Sequence, residues 1–159
     1  MKLMTISNNG MNLIKACEGC RLFAYRDSVG VATIGYGHTS GVKMGQAITQ
    51  QQADEFLRED LHGCENILNA CGVNFRQEQF DALCSWIFNL GQSNFRNSTM
   101  LKYIMAGKED TDITDQLVKW YYAGGVPMKG LKRRRIAEAN MYLGRDAYYL
   151  DSEDQIKRR

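Results

Sequence analysis

Residues 13–38 read LIKACEGCRLFAYRDSVGVATIGYGH, and this stretch changes from helical to strand-like character along its length. Its first part continues an apolar pattern at helical spacing, which predicts a helix over about Asn8–Glu18. Glycine, threonine, valine and tyrosine follow without that period, and Val31–Tyr36 is typical of a strand. We therefore expect a small antiparallel hairpin or three-stranded sheet over about 20–48.

The rest of the chain has the pattern of helices. Thr49 and Gln52 form a T-x-x-Q capping box, and the apolar stripe that follows predicts one long helix over about 49–71. Capping residues and glycines set the bounds of the further helices, which are expected over about 74–90, 98–105, 113–122 and 129–143. With the short sheet, these helices predict a mostly helical protein of the α+β class.

The composition is that of a soluble globular protein with one domain, residues 1–159. Hydrophobic residues make up 44% of the chain and charged residues 24%, and the net charge of +2 is too small to indicate nucleic-acid binding by itself. No apolar run suits a secretion signal or a membrane span. We therefore expect synthesis in a reducing cytoplasm and no stable membrane insertion.

The five cysteines, an odd number, do not predict a disulfide framework. Cys17 and Cys20 form a C-x-x-C pair that lacks the second pair a metal site needs, so no metal is expected. We expect both to be small core residues, with a structural or regulatory disulfide as the alternative.

A second feature is a run of basic residues near the end of the chain. This basic cluster comprises Lys129, Lys132, Arg133, Arg134 and Arg135. It is interpreted as a solvated helix face, as a surface for a polyanion, which would be cell wall, membrane surface or nucleic acid, or as a set of ion-pair partners for Glu18 and nearby acidic residues.

Two carboxylic acids and a hydroxyl form the candidate for chemistry. Glu18 ends the first helix, Asp27 opens a turn, and Thr33 lies on the following strand. Cleavage of a glycosidic bond needs such a pair of carboxyl groups, one protonated and one ionised, on two sides of a sugar. Acid pairs at helix–loop junctions are common, so the residues alone indicate this activity only weakly.

The opening stretch also resembles the catalytic segment of the T-even and lambdoid phage lysozymes of glycoside hydrolase family 24, the endolysins that cut bacterial cell walls. The family pattern is a Glu, eight residues, an Asp or Cys, five residues and a Thr; Glu18, Asp27 and Thr33 match it at each spacing. The motifs E-G-x-R-L-x-x-Y and T-I-G-x-G-H are present, as is G-L-x-x-R-R-x-x-E over Gly130–Glu138. The resemblance covers most of the chain.

This resemblance implies a lysozyme-like fold. A small β lobe would cover about 20–48, a connecting helix 49–71, and a larger helical lobe 72–159 together with 7–18. The substrate cleft would lie between the lobes.

It also implies the roles of the site residues. Glu18 would be the general acid, held by a salt bridge to an arginine among 133–135, and which one is left open. Asp27 would be the general base or an electrostatic stabiliser, and Thr33 would position the attacking water. The reaction would be inverting, without a metal or other cofactor.

Three further residues are candidates for substrate binding. Phe88 matches a family residue that borders the cleft, although core packing explains it nearly as well. Tyr36 either contacts glycan or packs. His38 lies beside the cleft by resemblance, with a structural, hydrogen-bonded role as the main expectation.

The implied function is hydrolysis of the β-1,4 bond between N-acetylmuramic acid and N-acetylglucosamine in peptidoglycan, for host lysis and phage release. The protein would act as a monomer, stay in the host cytoplasm, and reach the periplasm and wall through a holin. The rival interpretations are a transglycosylase, a catalytically silent binding protein on the same fold, and nucleic-acid binding through the basic cluster.

Overall fold

The computed structural model describes residues 2–159 as two compact units. The N-terminal unit covers Asn12–Gly63, and the C-terminal unit comprises the described residues on either side, 2–11 and 64–159. Helices account for most of the regular structure, and the described residues also form three two-stranded sheets. The expected α+β class is confirmed, whereas the lobe boundaries stay a prediction.

The N-terminal unit contains the predicted hairpin. Helix α1, Asn8–Glu18, runs from one unit into the other and has the predicted bounds. Strand β1, Arg21–Arg26, pairs antiparallel with β2, Ala32–Gly35, in a register that places Tyr25 opposite Thr33. Ala47 forms an isolated bridge with Phe23 of β1 but no third strand, so the structure shows the hairpin alternative.

The long helix expected over 49–71 is two consecutive helices in the structure. They are α2, Gln50–Asp60, and α3, His62–Ala70, and the predicted capping box begins α2. Leu61 separates them with φ −82° and ψ −12°, values of a tightened final turn. The prediction of one helix was wrong because the buried apolar stripe continues across this break, and hydrophobic period alone does not register a change in turn geometry.

The segment that precedes α1 is fixed by side chains far along the chain. The Ile6 amide donates to the Glu65 carboxylate at 2.8 Å, and the Ser7 amide donates to Asp81 at 2.9 Å. The Ser7 hydroxyl donates to the other oxygen of Asp81. The start of α1 is therefore anchored on α3 and on the helix that follows it.

The C-terminal unit is built around one buried helix, α4, Gln77–Leu90, in which every residue from Gln79 to Ile87 is buried. The remaining elements are α5 Gln92–Arg96, α6 Thr99–Met105, α7 Asp110–Leu117, β3 Tyr122–Ala123, β4 Val126–Pro127, α8 Lys129–Leu143, β5 Tyr148–Leu150 and β6 Ile156–Arg158. Helix α8 packs along α4 and has the predicted bounds. Within residues 2–159, no helix combines the length and apolar character needed to cross a membrane.

The helix expected over 113–122 was misplaced. Helix α7 begins three residues earlier, where Asp110 and Asp112 lie in the first turn and interact favourably with the helix dipole. It ends at Leu117, and the chain then forms the β3–β4 hairpin around Gly124 and Gly125, both with positive φ. Neither α5 nor the β5–β6 hairpin was predicted from the sequence.

The basic cluster is largely buried, which contradicts its interpretation as a solvated helix face or a polyanion surface, whereas its ion pairs with Asp154 and Glu138 agree with pairing to nearby acidic residues. Lys132, Arg134 and Arg135 are 8%, 6% and 0% exposed, so they form neither a solvated helix face nor a surface for nucleic acid. For the two arginines the reason is Glu138, fully buried one turn further along α8, whereas Lys132 donates to the Asp154 carbonyl at 2.6 Å. Of the cluster, only Lys129 and Arg133 are exposed.

The Glu138 carboxylate is the centre of this buried charge network. Its Oε1 lies 2.7 Å from Arg135 Nε, and its Oε2 accepts from Arg135 Nη2 at 3.1 Å and Arg134 Nε at 3.3 Å. The Ser85 hydroxyl on α4 donates to the same Oε2 at 2.6 Å. Arg135 also donates to Asn89 at 2.8 Å, so the network joins α8 to α4.

The C-x-x-C cysteines do not lie in the core. Cys17 and Cys20 are both exposed, whereas Cys64 and Cys84 are buried. Cys17 lies in the last turn of α1, about 60° around the helix from the fully buried Ile14, and so reaches the edge of the buried face. The expectation of small core residues at this pair was wrong.

Candidate active site

Glu18 occupies the last position of α1, and Gly19 (φ +69°) ends the helix behind it. The side chain is half-buried. Its Oε2 would lie 3.7 Å from a Cβ placed on Gly37, so the carboxyl group lies against the turn that follows β2. Gly37 has φ +79°, a left-handed conformation that glycine adopts without strain, and the absence of a side chain leaves space beside the carboxyl.

Asp27 is held by the turn between β1 and β2. Its Oδ1 accepts hydrogen bonds from the amides of Val29 at 3.0 Å and Val31 at 2.8 Å, and its own amide donates to the Val31 carbonyl at 2.9 Å. Among residues 2–159, no group donates to Oδ2. One oxygen therefore fixes the half-buried carboxylate, and the other can hydrogen-bond to a water or a sugar.

Thr33 lies on β2 opposite Tyr25. Tyr25 in turn precedes Asp27 by two residues. Because side chains alternate along a strand and paired residues share a face, Thr33 and Asp27 lie on the same face of the hairpin. The Thr33 hydroxyl donates to the Val31 carbonyl at 2.8 Å, and the side chain is buried. The hydroxyl retains lone pairs that can accept one more hydrogen bond.

Tyr36 follows β2 and is buried. Its hydroxyl accepts a hydrogen bond from Gln50 Nε2 at 2.9 Å, and the same amide group donates to Asp54 at 3.0 Å. Asp54 forms an ion pair with Lys15 of α1 at 3.1 Å. The hydrogen bond from Lys15, and a second one from Gln50, lower the pKa of Asp54 below its ordinary value, although partial burial opposes them. This chain of contacts ties the last turns of α1 to the start of α2.

His38 is buried and has partners on two sides within the N-terminal unit. Its Nδ1 lies 2.8 Å from Asp60 Oδ2, and its ring stacks on Phe56 with centroids 4.2 Å apart. Its backbone pairs with Ile34, which closes the turn that contains Gly37. These contacts are compatible with the structural, hydrogen-bonded role expected for His38, which stays a prediction.

Five of the six residues singled out from the sequence therefore lie in the N-terminal unit: Glu18, Asp27, Thr33, Tyr36 and His38. Phe88 lies in the C-terminal unit, half-buried on α4. Sequence reasoning missed the supporting residues Lys15, Gln50 and Asp54. A weak signal was present, because Gln50 and Asp54 are four residues apart and so share a helix face.

This arrangement offers groups for proton transfer. Residues 2–159 contain no group of three His, Cys, Asp or Glu side chains placed to hold a metal ion. Glu18 can donate a proton at a turn with space beside it, and Asp27 presents a carboxylate oxygen with no other partner. Such a pair is suited to acid–base cleavage of a polar bond.

Comparisons with known proteins identify the family of the chain. Residues 15–138 match the family model described as phage lysozyme. The chain is 41% identical to the endolysin of Acyrthosiphon pisum secondary endosymbiont phage 1, with 87% of this chain and 98% of that protein covered. It is 42% identical to the endolysin of Salmonella phage P22, with coverages of 84% and 94%.

Solved structures give the same result. The structure superposes on the endolysin from Escherichia coli O157:H7 phage FAHEc1 with a TM-score of 0.82 and 36% identity, covering 89% of this chain and 95% of that one. The lysozyme-like fold expected from the sequence is confirmed. The chain belongs to the phage lysozyme family.

Proposed function

We propose that this protein cleaves the β-1,4 bond between N-acetylmuramic acid and N-acetylglucosamine with Glu18 as proton donor and Asp27 as base. Hydrolysis of peptidoglycan in phage lysis is the activity that family membership gives to the chain. The assignment to the T-even and lambdoid group, family 24, rests on the spacing of Glu18, Asp27 and Thr33. The single observation that carries the mechanism is the Asp27 turn, which fixes one carboxylate oxygen and leaves the other without a donor.

Glu18 acts first on the leaving group. In its protonated form it donates its proton to the glycosidic oxygen while the bond from that oxygen to the anomeric carbon breaks. The position of its carboxyl group against Gly37 supports this role, because a side chain there would occupy the space beside Oε2. The salt bridge from an arginine of 133–135, which the resemblance implies, remains an expectation.

Asp27 and Thr33 act on the water. The Thr33 hydroxyl, which already donates to Val31, accepts a hydrogen bond from the water. Asp27 Oδ2 accepts the other proton of that water while the water oxygen forms a bond to the anomeric carbon. Attack from the face opposite the leaving group converts the β linkage into an α-anomeric product, which is the inverting outcome.

The three proposed substrate contacts, Phe88, Tyr36 and His38, differ in burial and in hydrogen bonding. Phe88 is half-buried, and substrate contact by its ring is a proposal that the resemblance alone supports. The buried Tyr36 and His38 have their hydroxyl and Nδ1 engaged, so we propose that any glycan contact they make is through their ring edges.

A turbidity assay on outer-membrane-permeabilised Gram-negative cells tests the assignment. Glu18→Gln and Asp27→Asn should each lower the rate of clearing by about 10²–10⁴-fold, the usual contribution of a general acid or base. Glu59→Gln, an exposed glutamate on α2, is the matched control and should clear cells like the parent protein. Clearing by Glu18→Gln at the parental rate would refute the assignment.

The products distinguish this reaction from its rivals. NMR of freshly released muropeptides should show the α-anomeric reducing sugar before mutarotation. A β-anomeric product would exclude inversion, and a 1,6-anhydro sugar detected by mass spectrometry would identify a transglycosylase. Salt-sensitive retention on DNA is not expected, because three of the five residues of the basic cluster are buried.

The route to the wall is a separate proposal. We infer that the protein acts as a monomer that accumulates in the host cytoplasm and depends on a holin for release. Several relatives are named SAR-endolysins, such as that of Bacteriophage PS119, which is 38% identical to this chain. Expression with and without a holin tests the route: prompt lysis without a holin would refute it.

A further inference from the structure

The C-terminal unit has a surface pocket where the end of α7 meets the β5–β6 hairpin. Its lining includes Val118, Lys119, Tyr121, Ile156 and Lys157, and we call it the hairpin pocket. The hairpin lies beyond residue 138, where the match to the phage lysozyme family model ends. The pocket is therefore built in part from residues outside the segment that defines the family.

One side of the hairpin pocket is held in place by an ion pair. Arg158 on β6 donates to both oxygens of Asp115 on α7, at 3.0 and 3.1 Å, and the Tyr148 hydroxyl on β5 donates to Asp115 at 2.6 Å. Although burial opposes it, hydrogen bonding from Arg158 and Tyr148 lowers the pKa of Asp115. Asp115 and Arg158 thus neutralise each other and fix the hairpin against α7.

Two further cations of the lining have no such partner. Lys119, just after α7, and Lys157 on β6 are both exposed, and neither forms a direct ion pair with any of residues 2–159, although Lys119 interacts electrostatically with Asp115 and Lys157 with Asp151. The wall beside them is apolar: Val118 is buried, and Ile156 and Tyr121 are half-buried. The hairpin pocket therefore combines two available ammonium groups with a hydrocarbon surface, which suits a ligand that carries carboxylates on a short aliphatic frame.

We propose that the hairpin pocket binds an acidic peptide with small alkyl side chains, the kind of peptide that substitutes the muramic acid residues of peptidoglycan. Lys119 and Lys157 pair with its carboxylates, and the wall of Val118 and Ile156 contacts its alkyl groups. The assignment to a wall peptide rests on the proposed function, because an enzyme bound to a glycan strand meets the attached peptides at high local concentration. The hairpin pocket is thus a second recognition site for the same substrate.

A binding experiment with a peptide that has no glycosidic bond tests this directly. Wild-type protein is titrated with L-alanyl-γ-D-glutamyl-meso-diaminopimelate while amide NMR shifts are followed at residues 118–121 and 155–158. Replacing Lys119 and Lys157 together by Gln should raise the dissociation constant about three- to thirtyfold, as expected for loss of two exposed charge pairs. Lys102→Gln, an exposed lysine on α6, is the matched control and should bind like wild type.

Two probes establish that the peptide is recognised rather than its charge. The same tripeptide with its carboxylates amidated should not shift these residues, and inorganic phosphate at equal ionic strength should bind more weakly than the tripeptide. Equal binding by either probe, or an unchanged dissociation constant in the double variant, would overturn the proposal.

Kinetics separate a failure of this proposal from a failure of the proposed function. On peptidoglycan, Lys119→Gln/Lys157→Gln should raise KM by the same factor as the peptide dissociation constant. On glycan strands of alternating N-acetylmuramic acid and N-acetylglucosamine from which the peptides have been removed, it should match wild type. If wild type cleaves neither substrate, the proposed function fails. If wild type cleaves both and the double variant loses equally on both, the hairpin pocket does not recognise peptide.

Discussion

The sharpest test of the fold is the replacement Glu138→Gln. Glutamine has nearly the volume of glutamate, so the change opens no cavity; it removes the negative charge and replaces one acceptor oxygen by an NH2 donor. The two guanidinium groups that meet Glu138, those of Arg134 and Arg135, are 6% and 0% exposed. In the variant, both lose their charged contacts with the Glu138 carboxylate.

The size of the effect follows from the contacts. The Glu138 carboxylate has three contacts with the two arginines, between 2.7 and 3.3 Å, and accepts one hydrogen bond from Ser85 at 2.6 Å. Removing one partner of a buried ion pair costs about 3–5 kcal/mol. For a chain of this length, each kcal/mol lowers Tm by about 2–4 °C, so we expect a decrease of about 6–20 °C.

Urea and thermal unfolding followed by far-UV circular dichroism measure this loss. Glu59→Gln makes the same chemical change at an exposed position of α2 and should alter the free energy of unfolding by less than about 0.5 kcal/mol. A loss below about 1 kcal/mol for Glu138→Gln would show that the arginine charges are compensated without this carboxylate, and the account of the α4–α8 contact would fail.

Two further predictions concern the N-terminal unit. Gly37→Ala and Gly41→Ala replace glycines at φ +79° and +70°, so each should destabilise the protein by about 1 kcal/mol. Only Gly37→Ala, which lies beside Glu18, should also lower kcat. Equal kcat values for the two variants would contradict the site geometry. Asp54→Asn should cost under about 1 kcal/mol, since the ion pair with Lys15 is partly exposed. Because the pKa of Asp54 is lowered in the folded state, that contribution is present above its ordinary value of 3.8 and disappears as the pH falls through the lowered pKa, so the stabilities of variant and parent should converge in acid and not in alkali.

Much of the fold followed from local signals. Helices α1 and α8 have their predicted bounds because a glycine with positive φ follows each, Gly19 and Gly144, and glycine at that position ends a helix by a local rule. The hairpin that carries Asp27 was also predicted from a local signal, the strand-like run Val31–Tyr36. The spacing of Glu18, Asp27 and Thr33 identified the candidate site only through the resemblance, since the residues alone were a weak signal.

What escaped prediction depends on contacts between distant residues. The run 129–135 suggested a charged surface because charge counts do not show which face of a helix is covered, and Glu138 compensates the arginines only once α4 supplies Ser85 and Asn89. The short strands β5 and β6 carry no long alternating pattern, and they are fixed by Asp115, more than thirty residues earlier. Neither effect is visible in a local window of sequence.

The anchoring of the segment before α1 has a consequence for biosynthesis. The partners of Ile6 and Ser7 lie 59 and 74 residues later, so roughly half of the polypeptide must leave the ribosome before these hydrogen bonds can form. Contacts between such distant positions slow folding, because a large loop is closed before they stabilise anything. The helix that ends in Glu18 therefore gains its fixed start late in translation, and no short N-terminal fragment of the nascent chain holds that glutamate as the complete enzyme does.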